Sequence, residues 1–148
     1  MCSSDLPAPL FTINFESNTD TPSAVTKSLL KRFFDRLEPA FGLQVSLGQM
    51  NTLVLCPALT SHSELTPEAL AKAGITPSTI RISVGDEDPR LLISHFIQTA
   101  KIVFDPHIPN FSDGFLHPEA IDALYTSTYL SVHKRYVHSR PSYRENTI

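Results

Sequence analysis

Apolar and polar residues alternate along Phe11-Thr12-Ile13-Asn14-Phe15, the period-two pattern of a half-buried strand. After a turn-rich break from Ser17 to Pro22, the spacing becomes helical. Val25, Leu29, Leu30, Phe33, Phe34 and Leu37 share one face of a helix predicted over Ser23–Leu37, and Pro39 stops it. Gly42–Leu47 and Thr52–Cys56 read as two short apolar strands on either side of Gly48-Gln49-Met50-Asn51, with Pro57 ending the second. Thr66-Pro67-Glu68 starts a short helix, with Thr66 as N-cap and Pro67 at the first helical position, and Gly74 ends it. Thr79–Val84 alternates again, setting Arg81 and Ser83 against Ile80, Ile82 and Val84 and turning Arg81 away from the core. Asp86-Glu87-Asp88-Pro89 then opens a long helix with acids at its positive end, and Leu91, Leu92, His95, Phe96, Thr99 and Ile102 form its apolar face.

The order is strand, helix, strand, strand, helix, strand, helix. It predicts an α+β fold: a small, mostly antiparallel sheet with helices packed on one face. Beyond Phe104 the pattern changes. Asp105–Gly114, with Pro106, Pro109 and Gly114, reads as an irregular linker. His117-Pro118-Glu119 restarts a helix running to about Val137 that carries Ile121, Leu124, Tyr125, Leu130, Val132 and Tyr136, enough apolar surface to dock. The organisation is therefore a tail over 1–10, a domain over 11–104, and a linker, helix and basic tail over 105–148.

Composition narrows the function classes. At 148 residues, 41% apolar and 18% charged, the chain suits one globular domain. A net charge of −3 argues against a general nucleic-acid binder. Lys134, Arg135, Arg140 and Arg144 against Glu145 leave 133–148 at +3, so the other 132 residues balance at −6. A solvated basic tail accounts for that asymmetry. No apolar run reaches the roughly 18 residues of a membrane helix, and Met1–Leu10 lacks the pattern of a secretory signal. Two cysteines, Cys2 and Cys56, fit a reducing compartment, so the expectation is a soluble cytoplasmic domain.

Generic catalytic signatures are missing: no Walker loop, GxGxxG, GxSxG or HExxH occurs. The six histidines are scattered, apart from His133 and His138, whose five-residue spacing suits one helix face poorly, so no metal site is expected. Cys56, at the end of an apolar strand with no basic neighbour, reads as a buried, inert thiol.

The middle of the chain carries an ordered series of words. Ser46-Leu47-Gly48 comes first, then Pro57-Ala58-x-Thr60-Ser61-His62-Ser63-x-Leu65-Thr66-Pro67-Glu68. Ala73-Gly74-Ile75-Thr76-Pro77 follows, and Ile80-Arg81-Ile82-Ser83-Val84-Gly85-x-Glu87-Asp88 closes the series. In words and spacings alike, the series resembles the C-terminal domain of the Cys/Met-metabolism (trans-sulfuration) family of pyridoxal-phosphate enzymes. Cystathionine γ-synthases, cystathionine lyases and O-acetylhomoserine sulfhydrylases belong to that family. The resemblance runs from about Phe11 to Ile102 and leaves 105–148 unplaced.

The resemblance implies roles for three positions. Arg81 matches the arginine that clamps the substrate's α-carboxylate, work for which a planar guanidinium fork is suited. Ser46 matches a serine beside that carboxylate. Asn51 stands where many members carry a glutamate that reads the substrate's distal end. Without the family, Arg81 reads as a surface ion pair with Asp86 or Glu87, and Ser46 and Asn51 as turn residues.

In the family, the lysine that carries the cofactor, the phosphate loop and the aspartate on the pyridine nitrogen lie in a larger N-terminal domain. None of that domain is in this sequence. Its five lysines, Lys27, Lys31, Lys72, Lys101 and Lys134, all fall on predicted helices. This chain alone is therefore expected to bind no pyridoxal phosphate unless a partner supplies the large domain. A homo-oligomer or a cofactor-bearing partner subunit is expected to cover the face that domain would bury. Three readings follow: an assisting domain with a carboxylate-binding pocket, a non-catalytic binding or interaction module, and a scaffold recruited for a cofactor-free reaction on a small acidic metabolite.

Overall fold

The computed structural model describes residues 9–15 and 25–139. They fall into two compact units, one ending at Ser112 and one beginning at Asp113. In the first, strand β1 (Leu10–Asn14) is followed by helix α1 (Lys27–Asp35), β2 (Gly42–Leu43), β3 (Leu53–Leu55), α2 (Pro67–Lys72), β4 (Thr79–Ser83) and α3 (Pro89–Phe104). The second contains helix α4 (Pro118–Ser139). This is the α+β order the sequence pattern predicts. Ser17–Pro22 and the start of the first expected helix lie outside the described residues.

The four strands form one mixed sheet in the order β1-β4-β3-β2. β4 pairs antiparallel with both β1 and β3, whereas β2 runs parallel to β3. The expected strand Gly42–Leu47 is cut to two residues. Past Leu43 the chain leaves the sheet edge, and Gln44–Asn51 becomes a loop over β4.

Short-range chemistry fixes the helix ends. Thr26 caps α1 by accepting from the Leu29 amide at 3.3 Å, and Thr66 caps α2 by accepting from Ala69 at 3.3 Å. Pro67 and Pro89 occupy first turns, where no amide is needed. Gly74, just past α2, adopts φ +69°, a left-handed stop that glycine takes without strain.

The core is aromatic. Phe33 of α1 and Phe104 of α3 are both fully buried, their ring centroids 5.1 Å apart, with Phe15 and Phe96 packed against Phe33 at 5.3 and 5.0 Å. Leu29, Leu30 and Leu37 complete the buried face of the α1 region, as its spacing predicts. On α3 the buried residues are Leu92, Thr99, Ala100, Val103 and Phe104. Leu91 and Ile102, expected on that face, sit about three turns apart on the outer side, 70% and 57% exposed.

Asp105–Gly114 is irregular but not slack. The Asp105 carboxylate accepts from the Ser112 amide at 2.9 Å and its hydroxyl at 2.7 Å, and the Phe111 ring packs tilted against Phe104 at 4.6 Å. Those ties carry the first unit as far as Ser112. In the second unit α4 runs close to its expected limits, with none of its residues buried.

Candidate functional site

Arg81 lies at the centre of β4, opposite Thr12 of β1 and Leu55 of β3. Directly opposed residues share a face of the sheet. Arg81 therefore stands in a row with Thr12 and Leu55, flanked along β4 by Thr79 and Ser83. On the two central strands that face is not open to water, a correction to the outward placing of Arg81 by alternation, whereas Thr12 on the edge strand β1 is exposed. Leu53, Leu55, Thr79 and Ser83 are all buried on it, and Arg81 is half-buried. Both sides of the two central strands are covered, so a period-two pattern here marks chemistry rather than exposure.

The loop Gln44–Asn51 and the residues that close it are fastened to β4 and the segment beyond it. Arg81 Nη2 donates to the Ser46 carbonyl at 3.3 Å, and the Gly48 amide donates to Ser83 Oγ at 3.5 Å. Gly48 sits at φ +67°, where a side chain would be strained. At the far end the Asp86 amide donates to the Met50 carbonyl at 2.7 Å. Glu87 completes the closure: its carboxylate accepts from the Thr52 amide at 2.6 Å and the Thr52 hydroxyl at 2.8 Å. The Thr52 hydroxyl in turn accepts from the Gly85 amide at 2.9 Å. Desolvation pushes the Glu87 carboxyl up, but the bonds from Thr52 and from its own amide outweigh it and hold the group below the usual carboxylate value.

Of the three residues singled out from sequence, the structure brings two together. Ser46 meets Arg81 through its backbone carbonyl, while its hydroxyl accepts from Gln49 Nε2 at 3.2 Å. Asn51 turns elsewhere. Its carboxamide lies over Gly42, where an added Cβ would come within 2.8 Å of Nδ2. The alternative of an ion pair between Arg81 and Asp86 or Glu87 is not realised: Glu87 is spent on Thr52. Among the described residues the ion pairs are Lys31–Asp35 and Arg90–Asp88. A guanidinium carries five N–H donors. Arg81 commits one of them to a neutral carbonyl and has no further partner among the described residues. The planar fork of a guanidinium is chemically able to meet a carboxylate with two parallel bonds.

Thr52, Gly85 and Glu87 escape a sequence reading because they meet only across long stretches of chain. Gly85 admits no side chain, since a Cβ would stand 2.3 Å from the Met50 carbonyl oxygen.

Comparisons with known proteins give the family. A family model described as "Cys/Met metabolism PLP-dependent enzyme" matches residues 10–100. The chain belongs to this family. The match begins at β1 and ends within α3, so it contains Ser46, Asn51 and Arg81, and α4 lies beyond it. Among curated Cys/Met-metabolism proteins, an O-acetyl-L-homoserine sulfhydrylase of Thermus thermophilus is 46% identical over 57 residues, 38% of this chain and 13% of that protein. An L-methionine gamma-lyase of Pseudomonas putida is 39% identical over 71 residues, 48% of this chain and 18% of that protein. The crystal structure of a cystathionine gamma synthase from Xanthomonas oryzae pv. oryzae, in complex with cystathionine, superposes with a TM-score of 0.50 at 28% identity, covering 61% of this chain and 21% of that one. The matched stretches thus span between 13% and 21% of the length of these relatives.

The family's cofactor can be tested against the residues present. All five lysines are exposed. A lysine that forms a Schiff base is kept uncharged by a desolvated pocket or a neighbouring cation, and an exposed helical lysine has no such pocket. The lysines of this chain do not fit the group. Two further facts concern the described residues: none of their His, Cys, Asp and Glu form a group able to hold a metal ion, and none of their helices is long and apolar enough to cross a membrane. Cys56 is buried, and burial, with a smaller push from Asp35, raises its thiol pKa, so the neutral form is favoured.

Proposed function

We propose that the chain supplies the carboxylate-binding part of a Cys/Met-metabolism site, with the cofactor and its lysine on a separate, cofactor-bearing polypeptide. The observation that carries this reading is Arg81: half-buried, bound to one neutral carbonyl, and without a carboxylate partner among the described residues. Its ligand class is a small amino acid of sulfur metabolism, recognised through the α-carboxylate. The relatives' names point the same way, through O-acetyl-L-homoserine, L-methionine and cystathionine. The chain alone contributes no cofactor chemistry, so mixing it with pyridoxal phosphate should leave no borohydride-trapped adduct on any of its lysines.

A direct test is titration of the chain with propionate, followed at the Arg81 side chain by nuclear magnetic resonance. The wild type should show saturable binding. Arg81→Ala should abolish it, and Arg81→Lys should restore only part, because an ammonium offers a point charge instead of a fork. Binding indifferent to both substitutions would retire the inherited pocket.

A further inference from the structure

Glu87 bonds to Thr52 and Arg81 to the Ser46 carbonyl, and the two sets of bonds meet through the loop that joins them. An ionised carboxylate only accepts hydrogen bonds. The Thr52 hydroxyl must therefore donate to Glu87, which turns its lone pairs to the Gly85 amide 2.9 Å away. One carboxylate thus orders two donors directly, the amide and hydroxyl of Thr52, and a third through the hydroxyl. Next to this clasp, the Asp86 amide holds the Met50 carbonyl, and the close approach at Gly85 leaves no slack between the two segments. Residues 50–52 are the root of the loop whose Ser46 carbonyl receives the Arg81 guanidinium. At 3.3 Å that last bond is long and single, so it does not by itself fix the loop over the strand.

We infer that Glu87 is a positioning residue for Arg81: by clasping Thr52 it fastens the root of loop 44–51 and so sets the carbonyl that aims the guanidinium. The inference rests on the reading of Arg81 as a carboxylate clamp. It predicts that changing Glu87 alters the anion site without touching it.

The test uses the full-length chain, isotope-labelled, with the Arg81 Nε–H resonance as the reporter and propionate as the ligand. Glu87→Gln keeps size and shape but offers a donor where Thr52 needs an acceptor. Thr52→Val removes the hydroxyl and keeps the amide, and Thr52→Ser keeps both. Glu87→Gln and Thr52→Val should each displace the Arg81 resonance in ligand-free protein and weaken propionate binding about tenfold, the worth of one bond to a charged group. Thr52→Ser should match the wild type. An Arg81 resonance and a propionate affinity at wild-type level in Glu87→Gln would overturn the inference. So would an equal displacement at Ile80 and Val54, because that signals general loosening of the sheet. If propionate leaves Arg81 of the wild type unmoved, the carboxylate reading falls, while the ligand-free resonance still decides whether Glu87 positions the side chain.

Discussion

The two units use aromatic residues in opposite ways. Up to Ser112, rings are spent on tertiary packing: Phe33 and Phe104 are fully buried, and Phe15, Phe96 and Phe111 close around them. In α4 none of the 22 residues is buried, and Tyr129 and Tyr136 are 61% and 53% exposed. Its rings stack along their own helix instead, Tyr125 on Tyr129 at 6.4 Å and Tyr129 on His133 at 6.3 Å. The first unit's rings thus meet residues far apart in sequence, whereas these two stacks in α4 join residues four apart. The family match stops at residue 100, within the first unit and before Phe104, and α4 lies wholly beyond it.

The contrast is most exposed to failure at the first unit's centre. Phe33→Ala removes a ring packed against Phe15, Phe96 and Phe104, and should cost about 3–5 kcal/mol of unfolding free energy in urea. A cost below about 1 kcal/mol would mean the cluster is not the core. Next in size is the close approach at Gly85. Gly85→Ala drives a Cβ against backbone atoms of Met50 and Asn51, which cannot swing aside, and should cost about 1–3 kcal/mol. Gly48→Ala has open space around it and pays only for its left-handed backbone, about 1 kcal/mol. Equal costs at the two glycines, read from urea midpoints, would show that segment 50–52 yields easily.

What the sequence discloses and what it hides divide along the same line. The cap at Thr66, the proline behind it and the stop at Gly74 are decided within a single helical turn, and they appear where the pattern puts them. The strand β4 and the place of Arg81 on it are likewise local. The shortness of β2 and its parallel run are decided by a partner eleven residues away, so Val45 and Leu47 look like strand residues and are not. On α3, Leu91 and Leu92 are equally apolar, and only tertiary packing selects Leu92 as the buried one. The candidate site divides in the same manner. Arg81 and Ser46 are legible through the family's words. The turning of Asn51 to Gly42 and the clasp of Glu87 on Thr52, 35 residues away, depend on pairings no local pattern encodes.

Acid offers a smaller probe of that clasp. The Glu87 carboxyl is held below its ordinary value, so its contribution to stability is fully present above the unfolded carboxylate pKa, about 4.3, and is lost as pH falls through the lower folded pKa. Asp88 and Glu68 are lowered too, through bonds to Arg90 and to the first turn of α2, and they lose stability in the same direction. The clasp is isolated by difference: urea midpoints of wild type and Glu87→Gln should converge as pH drops from about 6 to about 3. Parallel curves would assign the acid loss to the other carboxylates.

The smallest effect belongs to α4. Tyr129→Ala breaks the stack with Tyr125 and His133, a loss of about 0.2–0.5 kcal/mol for each neighbour four residues away. Against that, alanine is the better helix former by a few tenths of a kcal/mol, and Tyr129, 61% exposed, gives up little covered surface. The two terms nearly cancel, so helicity by circular dichroism and the urea midpoint should both stay within about 0.5 kcal/mol of wild type. The measurement is informative because the same chemistry, loss of one aromatic ring, is expected to cost the first unit about 3–5 kcal/mol at Phe33. A large loss at Tyr129 would mean that α4 too is held by distant contacts, and the difference between the two units would then be one of degree.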